Sequence, residues 1–174
     1  MRLQGVAVLV VGLGASGKAA ARLAVAHGAV VTGVDLRTDV PSIEGVTLQL
    51  GPHDRQTFLD ADLIVVSPGV SGHQADVVAA EAAGVQVIGE VALAAALLPD
   101  LPMVGITGTN GKSTVTWFVG QLLRAADLRV FVGGNLGNPL SNAVMDDETY
   151  DVAVVEVSSY QLERSGVFAP KIAV

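Results

Sequence analysis

One stretch of the sequence, residues 108–114, has the composition of a loop that binds nucleotide phosphates. It lies between an apolar run that ends at Ile106 and a segment with helical character. The backbone N–H groups of such a loop and the positive end of the following helix both favour a bound anion. Lys112 adds a full charge for the outer phosphates, and the Ser113 hydroxyl is placed to ligate Mg²⁺. The predicted phosphate-binding residues are Gly108, Thr109, Asn110, Gly111, Lys112, Ser113 and Thr114.

The stretch departs at one position from the standard nucleotide loop, G-x-x-x-x-G-K-[ST]. That pattern has a glycine five residues before its second glycine, where this chain has Ile106. An acidic residue supports the interpretation, because the apolar residues 150–156 predict a strand that ends in Glu156. A carboxylate at such a strand end can hold Mg²⁺ against nucleotide phosphates. We therefore predict Lys112 and Glu156 as catalytic residues, and Ser113 and Glu156 as metal ligands.

A second glycine-rich turn lies near the start of the chain. Residues 6–11 are an unbroken apolar run, and residues 12–17 (Gly-Leu-Gly-Ala-Ser-Gly) match the pattern G-x-G-x-x-G. The Ala-rich residues 18–27 predict a helix, and residues 30–34 predict a strand that leads into Asp35. This arrangement is typical of units that bind a nucleotide diphosphate, but it does not tell which nucleotide.

Composition excludes several classes of protein. The chain has 174 residues, 51% of them hydrophobic, a formal net charge of −7 and no cysteine. Without cysteine it can form neither disulfides nor thiolate metal sites, and an acidic chain with no basic cluster is not expected to bind nucleic acid. No apolar run approaches the roughly 18 residues that a membrane span needs, and no signal-peptide pattern is present, so we expect a cytoplasmic protein without a membrane partner. The histidines show no metal-ligand spacing and are interpreted as surface or turn residues: His27, His53 and His73.

The order of the predicted elements indicates an α/β fold. Its apolar excess fits parallel strands that are buried on both faces. We predict a Rossmann-like N-terminal parallel-sheet domain over residues 1–92 and a linker over residues 93–102. The first part of a P-loop ATPase-type α/β domain then covers residues 103–174. Because the last residues begin another strand, we expect the chain to be part of a longer enzyme. Further predicted strands are residues 46–50, 63–66, 85–88, 104–106 and 129–132; further predicted helices are residues 54–59, 74–83, 91–98, 113–126 and 139–145.

The phosphate loop resembles that of the Mur ligase family, the ATP-dependent amide-forming enzymes of peptidoglycan synthesis. Three further motifs carry the resemblance, and together they extend it over the whole chain. They are the glycine-rich turn at residues 12–17, Ser-Pro-Gly at residues 67–69, and Glu-Val-Ser-Ser-Tyr-Gln-Leu at residues 156–162. The last is the most specific, because Ser-Ser-aromatic-Gln-Leu is expected of the glutamate-adding members of the family.

The resemblance implies ATP and Mg²⁺ as cofactors, with UDP-N-acetylmuramoyl-L-alanine and D-glutamate as substrates. In this family the first glycine-rich turn serves the UDP of the sugar substrate. The implied UDP-substrate residues are Gly14, Ala15 and Ser16 at the diphosphate, Asp35 and Arg37 at the uridine end, and Ser67, Gly69 and Asn135 along the same substrate. The family's carbamylated lysine and its D-glutamate site would lie beyond residue 174, so we expect the chain alone to be inactive.

Two alternatives stay open. The glycines at residues 12–17 and Asp35 suit an NAD(P)-dependent oxidoreductase, although the second phosphate loop and Glu156 count against it. A module that binds nucleotide without catalysis is the other alternative, but it does not explain the second substrate-like turn.

Overall fold

The computed structural model describes residues 1–71, 73–135 and 137–174. Two parallel sheets with helices packed against them confirm the predicted α/β class. We call the first sheet, with the helices from the same part of the chain, the first unit. It contains β1 (Ala7–Val11), α1 (Ala15–Ala26), β2 (Val30–Asp35), β3 (Val46–Leu50), α2 (Arg55–Leu59), β4 (Leu63–Val66), α3 (Ala75–Ala82), β5 (Gln86–Gly89) and α4 (Glu90–Leu97). The second unit contains β6 (Met103–Ile106), α5 (Lys112–Ala125), β7 (Val130–Gly134), α6 (Ser141–Met145), β8 (Val152–Glu156), α7 (Ser159–Glu163) and β9 (Ile172–Ala173).

The strand order places the ends of several strands close together. The first sheet has the order β3-β2-β1-β4-β5 and the second the order β7-β8-β6-β9, with parallel pairing throughout. In the first sheet, β2 and β3 follow β1 on one side, and the next strands, β4 and β5, lie on the other side of β1. The order of the strands therefore reverses between β1 and β4. Ligands of open parallel sheets bind outside the carboxyl ends of the strands at such a point. Both glycine-rich turns follow the carboxyl end of a strand.

An apolar core joins the two units. Strands β4 and β8 are buried along their whole length, as strands covered on both faces are expected to be. The largest core cluster contains Leu23 and Leu93 of the first unit together with Phe131 and Leu140 of the second. Helix α6 packs on α1 and on α4. The two units therefore share buried surface. Helix α4 continues through the domain boundary predicted between residues 92 and 93. The domain limits themselves stay a prediction.

Three local expectations differ from the structure. The first helix begins at Ala15 rather than at residue 18, because Gly14 already serves as its extended N-cap. Residues 133 and 134, predicted as part of a loop over residues 133–137, form the end of β7, and residue 136 of that loop lies outside the described residues. Helix α7 was not predicted.

Within the described ranges, none of the helices combines the length and the apolar character needed to cross a membrane.

Candidate nucleotide and substrate site

The early glycine-rich turn is held by hydrogen bonds to two neighbouring segments. The Gly12 N–H donates to the Val34 carbonyl oxygen at 2.8 Å, and the Ser67 hydroxyl donates to the Gly12 carbonyl oxygen at 2.6 Å. Gly12 has a φ of +84°, which side-chain-bearing residues rarely adopt, and a β-carbon there would lie 2.5 Å from Val70 Cγ2. No side chain caps the start of α1 at Gly14. Its first-turn amides are therefore available to an anion.

A cleft of about 700 Å³, which we call the central cleft, opens beside this turn. One wall comes from the turn and the segment after β4, and another comes from the end of β7 and the segment after it. The cleft brings together all eight residues predicted to bind the UDP substrate: Gly14, Ala15, Ser16, Asp35, Arg37, Ser67, Gly69 and Asn135. Their individual contacts with a ligand stay predictions.

Asp35 binds protein groups with its whole carboxylate. Its Oδ2 accepts from the Leu13 N–H and from Arg37 Nη2, both at 2.7 Å. Its Oδ1 accepts from the Arg37 N–H and from Arg37 Nε, both at 2.9 Å. The Arg37 side chain, followed by the backbone donors, holds the pKa of Asp35 well below its usual range although burial opposes this. Asp35 thus orders the turn and orients Arg37, and no oxygen of it is left for the pair of hydroxyls on a ribose.

The cleft also contains residues that the sequence did not single out. The exposed Leu36, the half-buried His53 and Gln74 all line it. His53 was interpreted as a turn residue, and it does lie in the loop between β3 and α2, where its Nδ1 is 3.0 Å from Gln74 Nε2. A lone histidine between two unremarkable segments gives no signal from which this placement could have been predicted.

The second glycine-rich loop joins β6 to α5. Gly108 has a φ of +131°, and Gly111, the N-cap of α5, has a φ of +78°, so both positions favour glycine. The Lys112 ammonium donates to the Gly108 carbonyl oxygen at 2.7 Å. Ile106, which replaces the first glycine of the standard pattern, is the buried last residue of β6. The loop therefore begins after Ile106. The Thr107 N–H donates to the Val174 carbonyl oxygen at 2.8 Å, so phosphates would be received by the amides that follow it.

Glu156 lies next to the start of this loop. It is the register partner of Ile106 on the neighbouring parallel strand, and only 1% of it is exposed. Its Oε1 accepts from Asn135 Nδ2 at 2.8 Å, whereas its buried Oε2 has no hydrogen-bond partner. A buried carboxylate oxygen without a donor is costly unless a cation or a proton compensates it. This chemistry fits the predicted role as a Mg²⁺ ligand.

The protein would supply only part of the coordination of that metal ion. Among residues 1–71, 73–135 and 137–174, no group of three or more histidine or carboxylate side chains converges. Mg²⁺ commonly takes one or two carboxylates and completes its shell with phosphate oxygens and water. Ser113, at the start of α5, is exposed and can contribute its hydroxyl.

Asn135 connects the two predicted sites. Its exposed side chain lines the central cleft, and the same side chain holds Glu156. The Asn135 N–H also donates to the Glu156 carbonyl oxygen at 2.8 Å, which fixes the end of β7 against the end of β8. Of the residues that the structure describes, those that line the cleft include none of the phosphate loop at residues 108–114. Asn135 therefore lies between the residues predicted to bind the UDP substrate and Glu156, which is predicted to bind the metal ion.

Helix α7 follows Glu156 and begins with a capping box. The Ser158 side chain accepts from the Gln161 N–H, and the Gln161 side chain accepts from the Ser158 N–H. The pattern Ser-x-x-Gln is the sequence signal that could have predicted this helix. The box fixes the chain immediately after Glu156.

Comparison with known proteins identifies both units. The model "Mur ligase MurD-like, N-terminal domain" matches residues 6–89, and the model "Mur ligase middle domain" matches residues 106–174. The UDP-N-acetylmuramoylalanine--D-glutamate ligase of Anaeromyxobacter dehalogenans is 50% identical over 179 residues, which cover 98% of this chain and 38% of that protein. The enzyme of the same name from Desulfatibacillum aliphaticivorans is 42% identical over 181 residues, which cover 99% of this chain and 40% of that protein.

Solved structures agree with this fold. The UDP-N-acetylmuramate:L-alanyl-gamma-D-glutamyl-meso-diaminopimelate ligase from Neisseria meningitides has a TM-score of 0.58 and 21% identity, covering 97% of this chain and 59% of that chain. This likeness concerns the fold alone. The chain spans about two fifths of the length of the curated relatives it matches. With both sheets matched by domain models of one family, the chain belongs to the Mur ligase family.

Proposed function

We propose that this chain forms the UDP-substrate-binding and ATP-binding part of a cytoplasmic ligase that adds D-glutamate to UDP-N-acetylmuramoyl-L-alanine in peptidoglycan synthesis. One observation carries the proposal: the residues predicted for the UDP substrate line one cleft, and Asn135 of that cleft holds Glu156 beside the phosphate loop. The names of the similar enzymes support the choice of substrate. Residues 1–92 would bind the UDP substrate, and residues 103–174 would begin the ATP-binding domain after a connection at residues 93–102.

The environment of Asp35 argues against the ribose contact on which the dinucleotide alternative rests. In dinucleotide-binding units, the acidic residue after the second strand binds the ribose hydroxyls of NAD. Here both oxygens of Asp35 accept hydrogen bonds from Leu13 and Arg37. A ribose that relied on Asp35 would have to displace these bonds, so Asp35 gives no support to the dinucleotide alternative. The diphosphate of the UDP substrate would be held by the free amides at the start of α1.

The proposed reaction brings two anions together. The alanyl carboxylate of the substrate attacks the γ-phosphorus of ATP and releases ADP, and the amine of D-glutamate then displaces phosphate from the acyl phosphate to form the amide. Lys112 leaves the Gly108 carbonyl oxygen and pairs with the outer phosphates, while the loop amides fix their position. Ser113 and Glu156 would hold Mg²⁺, which supplies charge neutralisation at the phosphates. The chain spans about two fifths of the length of the similar ligases, so we expect no ligase activity from it alone.

Titration of the chain with UDP and with NADH tests the proposal. We expect UDP to bind with a saturable heat in isothermal titration calorimetry and NADH to give none. The Gly14→Ala variant sharpens the test, because a β-carbon at position 14 meets no protein atom within 4 Å and Gly14 lines the central cleft. This variant should fold normally and lose at least about tenfold in UDP affinity, since Gly lets the backbone approach the diphosphate. Binding of NADH, or unchanged UDP affinity in Gly14→Ala, would contradict the proposal.

A further inference from the structure

Glu90 is a buried acid that the proposed reaction does not use. It is the first residue of α4, and only 1% of it is exposed. Burial raises the pKa of its carboxyl group, although two hydrogen bonds from Ser141 oppose the shift. The rest of that helix is apolar, and Val91 to Ala95 are packed into the core. An apolar residue at position 90 would fill the same space without the cost of burying a carboxyl group.

The contacts of Glu90 join the two units. Its Oε1 accepts from the Ser141 N–H and from the Ser141 hydroxyl, both at 2.6 Å, and its Oε2 has no hydrogen-bond partner. Ser141 is the first residue of α6 in the second unit. One short side chain thus ties the start of a helix in each unit to the other.

The helix that Glu90 holds follows directly after one wall of the central cleft. That wall is formed by Gly134, Asn135, Gly137 and Pro139, and Ser141 comes two residues later. The facing wall belongs to the first unit, as does Glu90 itself. Glu90 does not line the cleft, so its influence must act through Ser141.

We propose that Glu90 is a positioning residue for the UDP substrate, which sets the wall that bears Asn135 against the wall that bears the glycine-rich turn. The inference rests on the proposed function, because it assumes that the central cleft binds the UDP-linked substrate. Both hydrogen bonds converge on one carboxylate oxygen, and this geometry fixes α6 in direction as well as in distance. Loss of the acceptor leaves the Ser141 N–H buried without a partner, and the segment before α6 must shift to satisfy it.

The test compares two substitutions of nearly equal size. Glu90→Met keeps the volume but removes the acceptor, whereas Glu90→Gln keeps an oxygen for Ser141 and places an amide where Oε2 lies. The dissociation constants for UDP-N-acetylmuramoyl-L-alanine and for ATP are measured by calorimetry well below the unfolding temperature of each variant. We expect Glu90→Met to weaken binding of the UDP substrate about tenfold and Glu90→Gln to stay within about threefold of the unsubstituted chain. ATP affinity should stay within about twofold in both, because the phosphate loop belongs to the second unit alone.

The outcomes separate the two proposals. If the unsubstituted chain does not bind the UDP substrate, the proposed function fails and the role of Glu90 fails with it. If it binds and Glu90→Met binds equally well, only the role of Glu90 fails, and the acid then contributes to stability alone. Should Glu90→Met not fold, Ser141→Ala removes one of the two donors, and an unchanged affinity for the UDP substrate would overturn the inference; we expect a loss of about threefold.

Discussion

Replacing Gly17 by alanine should destabilise the protein, although alanine is the better helix former. Gly17 is the third residue of α1 and is buried. A β-carbon at this position would lie 2.6 Å from the Ser67 hydroxyl oxygen and 2.9 Å from the Gly12 carbonyl carbon, and closer still to the Gly12 carbonyl oxygen. Those two oxygens form the hydrogen bond that closes the early glycine-rich turn. Because one of the obstructing groups is backbone, no change of rotamer can relieve the clash.

The expected loss follows from opposing contributions. Helix propensity alone favours alanine by about 1 kcal/mol. Overpacking of a tight site typically costs about 1–3 kcal/mol, and the upper end applies here because backbone must move. Weakening the hydrogen bond from Ser67 to Gly12 adds about 0.5–1.5 kcal/mol. The net decrease in the free energy of unfolding should therefore be about 3 kcal/mol.

Urea denaturation followed by circular dichroism measures this loss. Gly14→Ala is the matched control, because it places the same methyl group in the same turn with no protein atom within 4 Å. We expect the control to unfold within about 0.5 kcal/mol of the unsubstituted chain. A Gly17→Ala variant as stable as that control would refute the close approach of α1 to the turn.

The remaining predictions concern the charged groups. In the full-length enzyme that carries this sequence, Lys112→Ala should lower turnover on the order of 10²–10³, the range for losing one preorganised donor, and near-normal turnover would exclude its role. Glu156→Gln should abolish the increase in ATP affinity that Mg²⁺ produces in calorimetry, since an amide cannot replace the carboxylate ligand; an unchanged Mg²⁺ effect would exclude Glu156 as a ligand. Asp35→Asn should lower the free energy of unfolding at pH 7, and the difference should shrink below about pH 4. The pKa of Asp35 is depressed in the folded chain. The stabilisation by its carboxylate is therefore present above the unfolded pKa and is lost as the pH falls through the folded pKa. A stability difference between the two proteins that grows on acidification would contradict this prediction.

The parts of the fold that were predicted correctly have a local cause. The strand at residues 46–50, where apolar and polar residues alternate, has the bounds that were predicted. So does the strand at residues 63–66, which is an unbroken apolar run. Strands buried on both faces leave such a run in the sequence whatever their neighbours are. The two glycine-rich turns were also placed correctly, because Gly12 and Gly111 adopt a positive φ that the sequence marks directly.

Other features depend on contacts across the fold and leave no local mark. The sequence of residues 133 and 134 suggests a loop, yet they belong to β7, because they pair in register with Val155 and Glu156 of β8. Position 133 needs glycine, because a β-carbon there would lie 2.7 Å from Phe131 Cε1 and still closer to the Asn138 carbonyl oxygen. The hydrogen bonds from Asn135 to Glu156 and from Ser141 to Glu90 span 21 and 51 residues. No periodicity or motif encodes which residue a buried carboxylate will meet at such a separation.

A crystal of the chain soaked with UDP-N-acetylmuramoyl-L-alanine and a non-hydrolysable ATP analogue with Mg²⁺ tests the central claim most directly. We expect density for the uridine diphosphate at the start of α1 and for a metal ion on Glu156 next to the phosphates on the second loop. An empty site at the start of α1, or a metal ion that does not contact Glu156, would contradict the assignment of these two sites.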